Sequence, residues 1–153
     1  DDPAKRGIIN SIYIDTESLA VHNDELQAMY KEVVENEQQW EEFNCENADY
    51  IITAFGTVAR IAKSAINDLR EQGIKVGLFR PITVWPFPYA QLADAVKGAK
   101  AILDVEVNEG QMMEDVRLAV NGALPVDYFG HCGSQMPTTD EIKEKILKMK
   151  EGI

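Results

Sequence analysis

From residue 48 onward the apolar positions alternate between two rhythms. Tyr50 to Phe55 is a short apolar run with β-branched residues, the pattern of a strand covered on both faces. After Gly56-Thr57, the residues Val58, Ile61, Ala62, Ala65, Ile66 and Leu69 recur at helical spacing over three turns. Gly73 is placed to end that helix in a left-handed cap. Lys75 to Phe79 is expected as a second strand. Leu92, Ala93 and Val96 mark a second helix that starts near Pro88, where proline suits a first turn, and Gly98 closes it. Ala101 to Val107 is a third strand, and Met112, Val116, Ala119 and Val120 mark a third helix closed by Asn121-Gly122. Pro125 to Phe129 is a short fourth strand. Thr138 and Glu141 have capping-box spacing ahead of Ile142, Ile146 and Met149 on the last helix.

Strands and helices in alternation with short links predict an α/β domain. The expected architecture has three layers: a mostly parallel sheet with helices on both faces. Before it, the pattern is different. Gly7 to Ile14 alternates weakly, as in a short strand or arm. Leu26, Met29, Tyr30, Val33 and Val34, extended by Trp40 and Phe43, predict an amphipathic helix over residues 24–43, capped by Asn23 or Asp24. Cys45-Glu46-Asn47 is expected as a hinge. The expected division is therefore an N-terminal arm and acidic linker helix over 1–47 and an α/β domain over 48–153.

In an open α/β sheet, ligands and partners meet the loops after the C-terminal strand ends. Here those loops are Gly56-Thr57, Arg80 to Pro88, Asn108-Glu109-Gly110-Gln111, and Gly130 to Thr138. Gly56-Thr57 opens a helix whose first N–H groups can hold an anion. The plainer reading is a tight turn at Gly56 with Thr57 as the cap, and there is no G-x-G-x-x-G or Walker lysine motif. Arg80-Pro81-Ile82-Thr83-Val84-Trp85-Pro86-Phe87-Pro88 is stiffened by three prolines and carries two large rings. Those rings either dock on another protein surface or tuck under the next helix. Glu106, Glu109, Glu114 and Asp115 gather near one strand end, as a metal site or an acid/base pair would, but no histidine stands close in sequence, and Asp115 suits a first helical turn. His131-Cys132 invites a nucleophile reading, but it lies in a glycine turn with no acid placed to orient the histidine; His22 reads as a surface residue near a helix start.

Charge narrows the range of partners. The net charge is −11, and residues 15–49 hold eleven acids and one lysine. A chain this negative is not expected to bind nucleic acid through its phosphates. The acidic segment either meets a basic surface or is a solvated helix face. No apolar run approaches the roughly 20 residues that span a bilayer. Cys45 and Cys132 form no C-x-x-C, so an iron–sulfur or zinc site built by this chain alone is not expected. The chain begins Asp1-Asp2-Pro3 with no initiator Met, which suggests a processed chain or an excised domain.

Two runs are more specific than any of these patterns: ADYIITAFGTVARIAKSAINDLREQGIKVGLFRPITVWPFP and VNEGQMMEDVRLAVNG. They resemble the C-terminal domain of the α subunit of 2-oxoacid:ferredoxin oxidoreductases over about residues 48–148, and the preceding Glu-rich helix resembles the linker helix of that family. The resemblance implies a fold like the transketolase C-terminal domain. It implies, for the whole enzyme, a 2-oxoisovalerate or 2-oxoglutarate type reaction: 2-oxoacid, coenzyme A and oxidised ferredoxin give acyl-CoA, carbon dioxide and reduced ferredoxin. Thiamine diphosphate, Mg2+ and iron–sulfur clusters are then held by other domains or subunits, and no catalytic, cofactor or metal residue is expected here. The implied partners are the N-terminal part of the same α subunit, a β subunit, γ and δ subunits, and ferredoxin, in the cytoplasm. The expected interface is Gly56, Thr57, Arg80, Pro81, Trp85, Pro86, Phe87, Asn108, Glu109, Gly110 and Gln111. Gly130 to Ser134 and Glu109 depart from the family pattern. Two other readings remain at this point: a stand-alone module for a small anion or coenzyme A, and a domain of another transketolase-like enzyme.

Overall fold

The structure is a computed structural model that describes residues 7, 12–133 and 135–152. It forms two compact units, residues 1–36 and 37–153. In the first, helix α1 spans Thr16–Asn36. Asp15 caps it, accepting from the Ser18 amide at 2.8 Å. None of its described residues is buried within this chain. The helix therefore starts eight residues before the expected position: Asp15 outcompetes Asn23 and Asp24 as the cap. His22 lies inside it with its ring stacked on Tyr13 at 4.7 Å. The strand or arm expected over 7–14 lies largely outside the described residues.

The second unit runs β1 (Trp40–Phe43), β2 (Tyr50–Thr53), α2 (Gly56–Glu71), β3 (Val76–Pro81), α3 (Tyr89–Ala95), β4 (Ala101–Glu106), α4 (Gln111–Val120), β5 (Val126–Gly130) and α5 (Thr139–Gly152). The sheet order is β1-β3-β2-β4-β5. All neighbours pair parallel except β1 with β3. This is the expected α/β architecture with one correction. Trp40–Phe43, expected inside the linker helix, is an antiparallel edge strand. Its helical spacing was accidental, and cross-strand partners decide its state: Glu41 stands opposite Arg80 and binds it at 3.1 Å.

Two cores sandwich the sheet. Ile52, Val76, Leu78, Leu103 and Val105 pack with the faces of α2 and α5. Ile51, Phe79 and Ile102 pack with Phe87, Leu92, Met112 and Val116 on the other side. Each fully buried Leu, Ile or Phe contributes about 1.5–3 kcal/mol. The period-2 alternation of strands assigns each residue to a side, which puts Thr53, Asp104 and Glu106 on the α3/α4 side. The punctuation read from sequence is present. Gly73, at φ +80°, closes α2 with bonds from its own amide to Arg70 O and from Ile74 N to Leu69 O, both 2.9 Å. At α5, Glu141 accepts from the Thr138 amide at 2.9 Å while its own amide donates to the Thr138 hydroxyl at 3.3 Å.

The hinge expected at Cys45 is instead packed down. Cys45 is buried, and its thiol donates to Leu78 O at 3.1 Å. The backbone at Asn44 and Cys45 crosses directly over Gly77, where a Cβ would stand 2.7 Å from Asn44 O and from Cys45 Cα.

Candidate functional site

The crossover from β2 to β3 leaves on one side of the sheet and the crossover from β4 to β5 on the other. The topological switch point therefore lies between the C-terminal ends of β2 and β4, where this fold class places its crevice. Two cavities open there, of about 280 Å³ and 190 Å³, and both are lined by Phe55 and Glu106. Beneath them Thr53 and Asp104 stand opposite one another in the parallel pair. The Thr53 hydroxyl donates to Asp104 Oδ1 at 2.6 Å. Asp104 is fully buried, and its Oδ2 has no hydrogen-bond partner. Burial first, and the Glu106 carboxylate on the same strand face second, push the Asp104 carboxyl up to about 9, against the pull of Thr53 and Arg117. Asp104 is thus held neutral at pH 7.

Glu106 has a different task. It is 1% exposed and reaches past the end of β4 to the start of α4. Its Oε1 accepts from Met112 N at 2.9 Å and Met113 N at 3.2 Å. Its Oε2 accepts from Met112 N at 3.0 Å and from Asn108 Nδ2 at 2.8 Å. Asn108 Oδ1 takes the amides of Gly110 and Gln111 at 2.8 and 3.0 Å. The orphan N–H groups of the α4 N-terminus are therefore satisfied by side chains of the preceding turn, which leaves no donors there for a ligand anion. Gly110 permits this turn because it sits at φ +88°, with Tyr128 and Met113 where a Cβ would project. At α2 the Thr57 cap is not found. Phe55 occupies the cap position and no side chain bonds there. Gly56 sits at φ +58°, so the turn half of that reading holds.

The eleven predicted interface residues separate by environment. Gly56, Thr57, Trp85, Glu109 and Gln111 are exposed at the strand-end edge. Asn108 and Gly110 form the α4 cap. Pro81, Pro86 and Phe87 are buried, and Phe87 packs in the α3/α4 core. Arg80 points instead to the α2 side, onto Glu41, which also binds Lys63. Lys63, then Arg80, hold the Glu41 carboxyl below its usual range. The two rings of the proline loop thus part company: Phe87 tucks in while Trp85 stays 60% exposed. The loop is braced by Ile82 N and Thr83 N donating to Gln39 O at 2.9 and 3.1 Å. Thr83 Oγ1 accepts from Gln39 N at 3.0 Å and donates to Pro86 O at 3.0 Å.

Other candidates stand apart from this edge cluster or are occupied. His131 binds Glu141 at 3.1 Å, so an acid does orient it, contrary to the sequence reading; that acid is ten positions downstream and reached through the fold. The Cys132 thiol donates to Glu109 at 2.9 Å, which raises the thiol pKa and argues against a nucleophile. Asp115 accepts from the Tyr89 hydroxyl. Among the described residues no three His, Cys, Asp or Glu side chains converge as a metal site would require. Sequence reasoning missed the Thr53–Asp104 pair and the Glu106 cap. Their signal was two acids, two residues apart, in an otherwise apolar strand.

A family model described as pyruvate:ferredoxin oxidoreductase core domain II matches residues 48–142. The chain is 37% identical over 144 residues to ketoisovalerate oxidoreductase subunit VorB of Methanothermobacter marburgensis, covering 94% of this chain and 41% of that one. It is 30% identical over 105 residues to 2-oxoglutarate synthase subunit KorA of the same organism, covering 69% of this chain and 28% of that one. Among solved structures, 2-oxoglutarate:ferredoxin oxidoreductase from Magnetococcus marinus, with 2-oxoglutarate, coenzyme A and succinyl-CoA bound, superposes with a TM-score of 0.76 at 20% identity, over 89% of this chain and 24% of that one. A split-gene transketolase, an inactive β4 tetramer, superposes with a TM-score of 0.57 at 16% identity, over 65% of this chain and 37% of that one. Both share the fold. The chain spans about two fifths of the length of its ketoisovalerate relatives.

Proposed function

Because this chain belongs to the pyruvate:ferredoxin oxidoreductase core domain II family, we propose that it is the non-catalytic assembly domain of a thiamine-diphosphate-dependent 2-oxoacid:ferredoxin oxidoreductase. The whole enzyme converts a 2-oxoacid, coenzyme A and oxidised ferredoxin to acyl-CoA, carbon dioxide and reduced ferredoxin. The identity to VorB is higher and longer than that to KorA, which favours a branched-chain 2-oxoacid such as 2-oxoisovalerate over 2-oxoglutarate. The partners in this reading are the N-terminal part of the same subunit and the β, γ and δ subunits, with ferredoxin as the electron acceptor, in the cytoplasm. Among the described residues no helix is long and apolar enough to cross a membrane.

One observation carries the assembly role. At the edge where this fold class binds ligands, the α4 amides are already taken by Glu106 and Asn108, while a braced loop holds Val84 and Trp85 exposed. A cluster needs several thiolates, which this edge lacks, and the α4 turn has no amides left for a diphosphate. No step of the reaction is therefore assigned to this chain, and it acts by presenting a surface. The same amide saturation weighs against an anion or coenzyme A site at α4, and the uncapped start of α2 is the remaining place for one.

Calorimetry tests the proposal. The isolated chain should bind neither thiamine diphosphate, coenzyme A nor 2-oxoisovalerate, and should show no turnover with a viologen acceptor. The full-length enzyme should turn over 2-oxoisovalerate and lose that activity when residues 37–153 are deleted. Tight saturable binding of coenzyme A to the chain alone would overturn the assembly role.

A further inference from the structure

We propose that the groove between the 82–88 loop and the start of α4 docks a basic protein surface, one that presents lysine or arginine side chains around an apolar recess. This rests on the assembly role above and specifies the chemistry of the surface that meets this edge. Ile82, Val84 and Trp85 are 51%, 53% and 60% exposed, yet their loop is fixed by bonds to Gln39 and Pro86. A rigid, exposed apolar segment loses little entropy on docking and gains affinity from its area. Beside it lies the 280 Å³ cavity, with Phe55, Val84 and Met112 as its apolar wall and Gln111 and Asp115 among its polar lining.

Charge identifies the occupant. Asp115 lines this groove, Glu114 precedes it on α4 and Glu109 stands just before that helix; Asp115 and Glu109 accept only the uncharged Tyr89 hydroxyl and Cys132 thiol, and none of the three takes part in an ion pair among the described residues. The one cation of the loop segment, Arg80, is turned onto Glu41. A second copy of this chain docked edge to edge would set these acids against each other, and like-charge repulsion opposes that contact. A nucleotide or diphosphate would meet the same repulsion. A basic surface meets none, and its cations fix the register while Val84 and Trp85 supply the contact area.

The test uses the whole enzyme and reads its thermal inactivation midpoint at low and high salt. The variants are E109Q/E114Q/D115N, Trp85→Ala, and Glu71→Gln at the end of α2 as a remote control. The triple variant is expected to inactivate at a lower temperature than wild type at low salt, with the gap closing at high salt. Trp85→Ala should lower the midpoint at both salts, and the control should lower neither. A triple variant equal to or more stable than wild type at low salt overturns the basic partner. If Trp85→Ala still lowers the midpoint in that case, the assembly role stands without it. An enzyme that keeps full turnover without residues 37–153 removes both readings. Sedimentation of the chain alone as a dimer that Trp85→Ala dissolves makes a second copy the occupant instead.

Discussion

The Thr53 hydroxyl donates to Asp104 Oδ1 at 2.6 Å across the β2–β4 pair, in the floor of the sheet where both side chains are fully buried. The bond satisfies one carboxyl oxygen and leaves Oδ2 without a partner. A buried carboxyl in that state keeps its proton, and its titration becomes a term in stability.

The sign follows from the shift. The Asp104 pKa is about 9 when folded and about 3.9 when unfolded. Between these values the unfolded state has lost the proton and the folded state retains it. Folding stability therefore falls as pH rises from about 4 to about 9 and then levels. Asp104→Asn keeps an oxygen for Thr53 and carries no charge. It should flatten this slope and gain on the wild type as pH rises from about 4 to about 9, because it has no proton for the unfolded chain to lose. Urea unfolding at pH 5, 7 and 9 checks this; parallel slopes for variant and wild type would discard the neutral Asp104.

Glu106 is the cap of α4, and its two oxygens serve four donor contacts. Glu106→Ala should cost about 1.5–3 kcal/mol for each charged bond not replaced by water. Hydrogen exchange should localise the loss to Gln111 through Met113. Uniform exchange across the sheet would mean that Glu106 serves the core and not the turn.

Gly77 has no room for a side chain under Asn44 and Cys45. Both obstructions are backbone, so they give only if the β1–β2 connection lifts. Gly77→Ala should destabilise by about 1–3 kcal/mol and expose the Cys45 thiol. Unchanged denaturation midpoints would show that this connection moves freely.

Phe87 and Trp85 should differ sharply in the isolated chain. Phe87 is 2% exposed in the α3/α4 core, so Phe87→Ala should cost about 3–5 kcal/mol. Trp85→Ala should cost much less there, because most of the ring already meets water. Equal losses would contradict the division of the two rings.

The two thiols should label one at a time. Both are free, Cys45 buried and Cys132 exposed. Burial, foremost, pushes the Cys45 thiol up to about 11. Iodoacetamide at pH 8 should modify only Cys132 in the folded chain, and faster after Glu109→Gln replaces the carboxylate that raises its pKa. Labelling of Cys45 at a similar rate would refute the packed β1–β2 connection.

The loops of the edge were legible because glycine and proline are local signals. Gly56 and Gly110 both take positive φ, and the proline loop is stiff as read. The strand expected over Ala101 to Val107 and found over Ala101–Glu106 was legible too, since a strand buried on both faces must be apolar almost throughout. What the spacing of Trp40 and Phe43 could not reveal was their state. Four residues satisfy a helical and an extended period equally, and the choice lay with Arg80 and Leu78, some forty residues away.

By itself, then, the sequence determined the α/β alternation, the parallel sheet, the caps at Gly73 and Thr138, and the family through two long runs. The alternation, the sheet and the caps follow from local propensity and periodicity, which a chain carries wherever it folds; the family follows from the likeness of those two runs to known sequences. The tertiary structure decided which ring of the proline loop faces water, that Arg80 serves the sheet, that Glu106 closes α4, and that Asp104 lies neutral beside Thr53. Each of these depends on a partner distant in sequence or on the loss of water around a charge. Burial and long-range contact exist only once the sheet has closed between its helices.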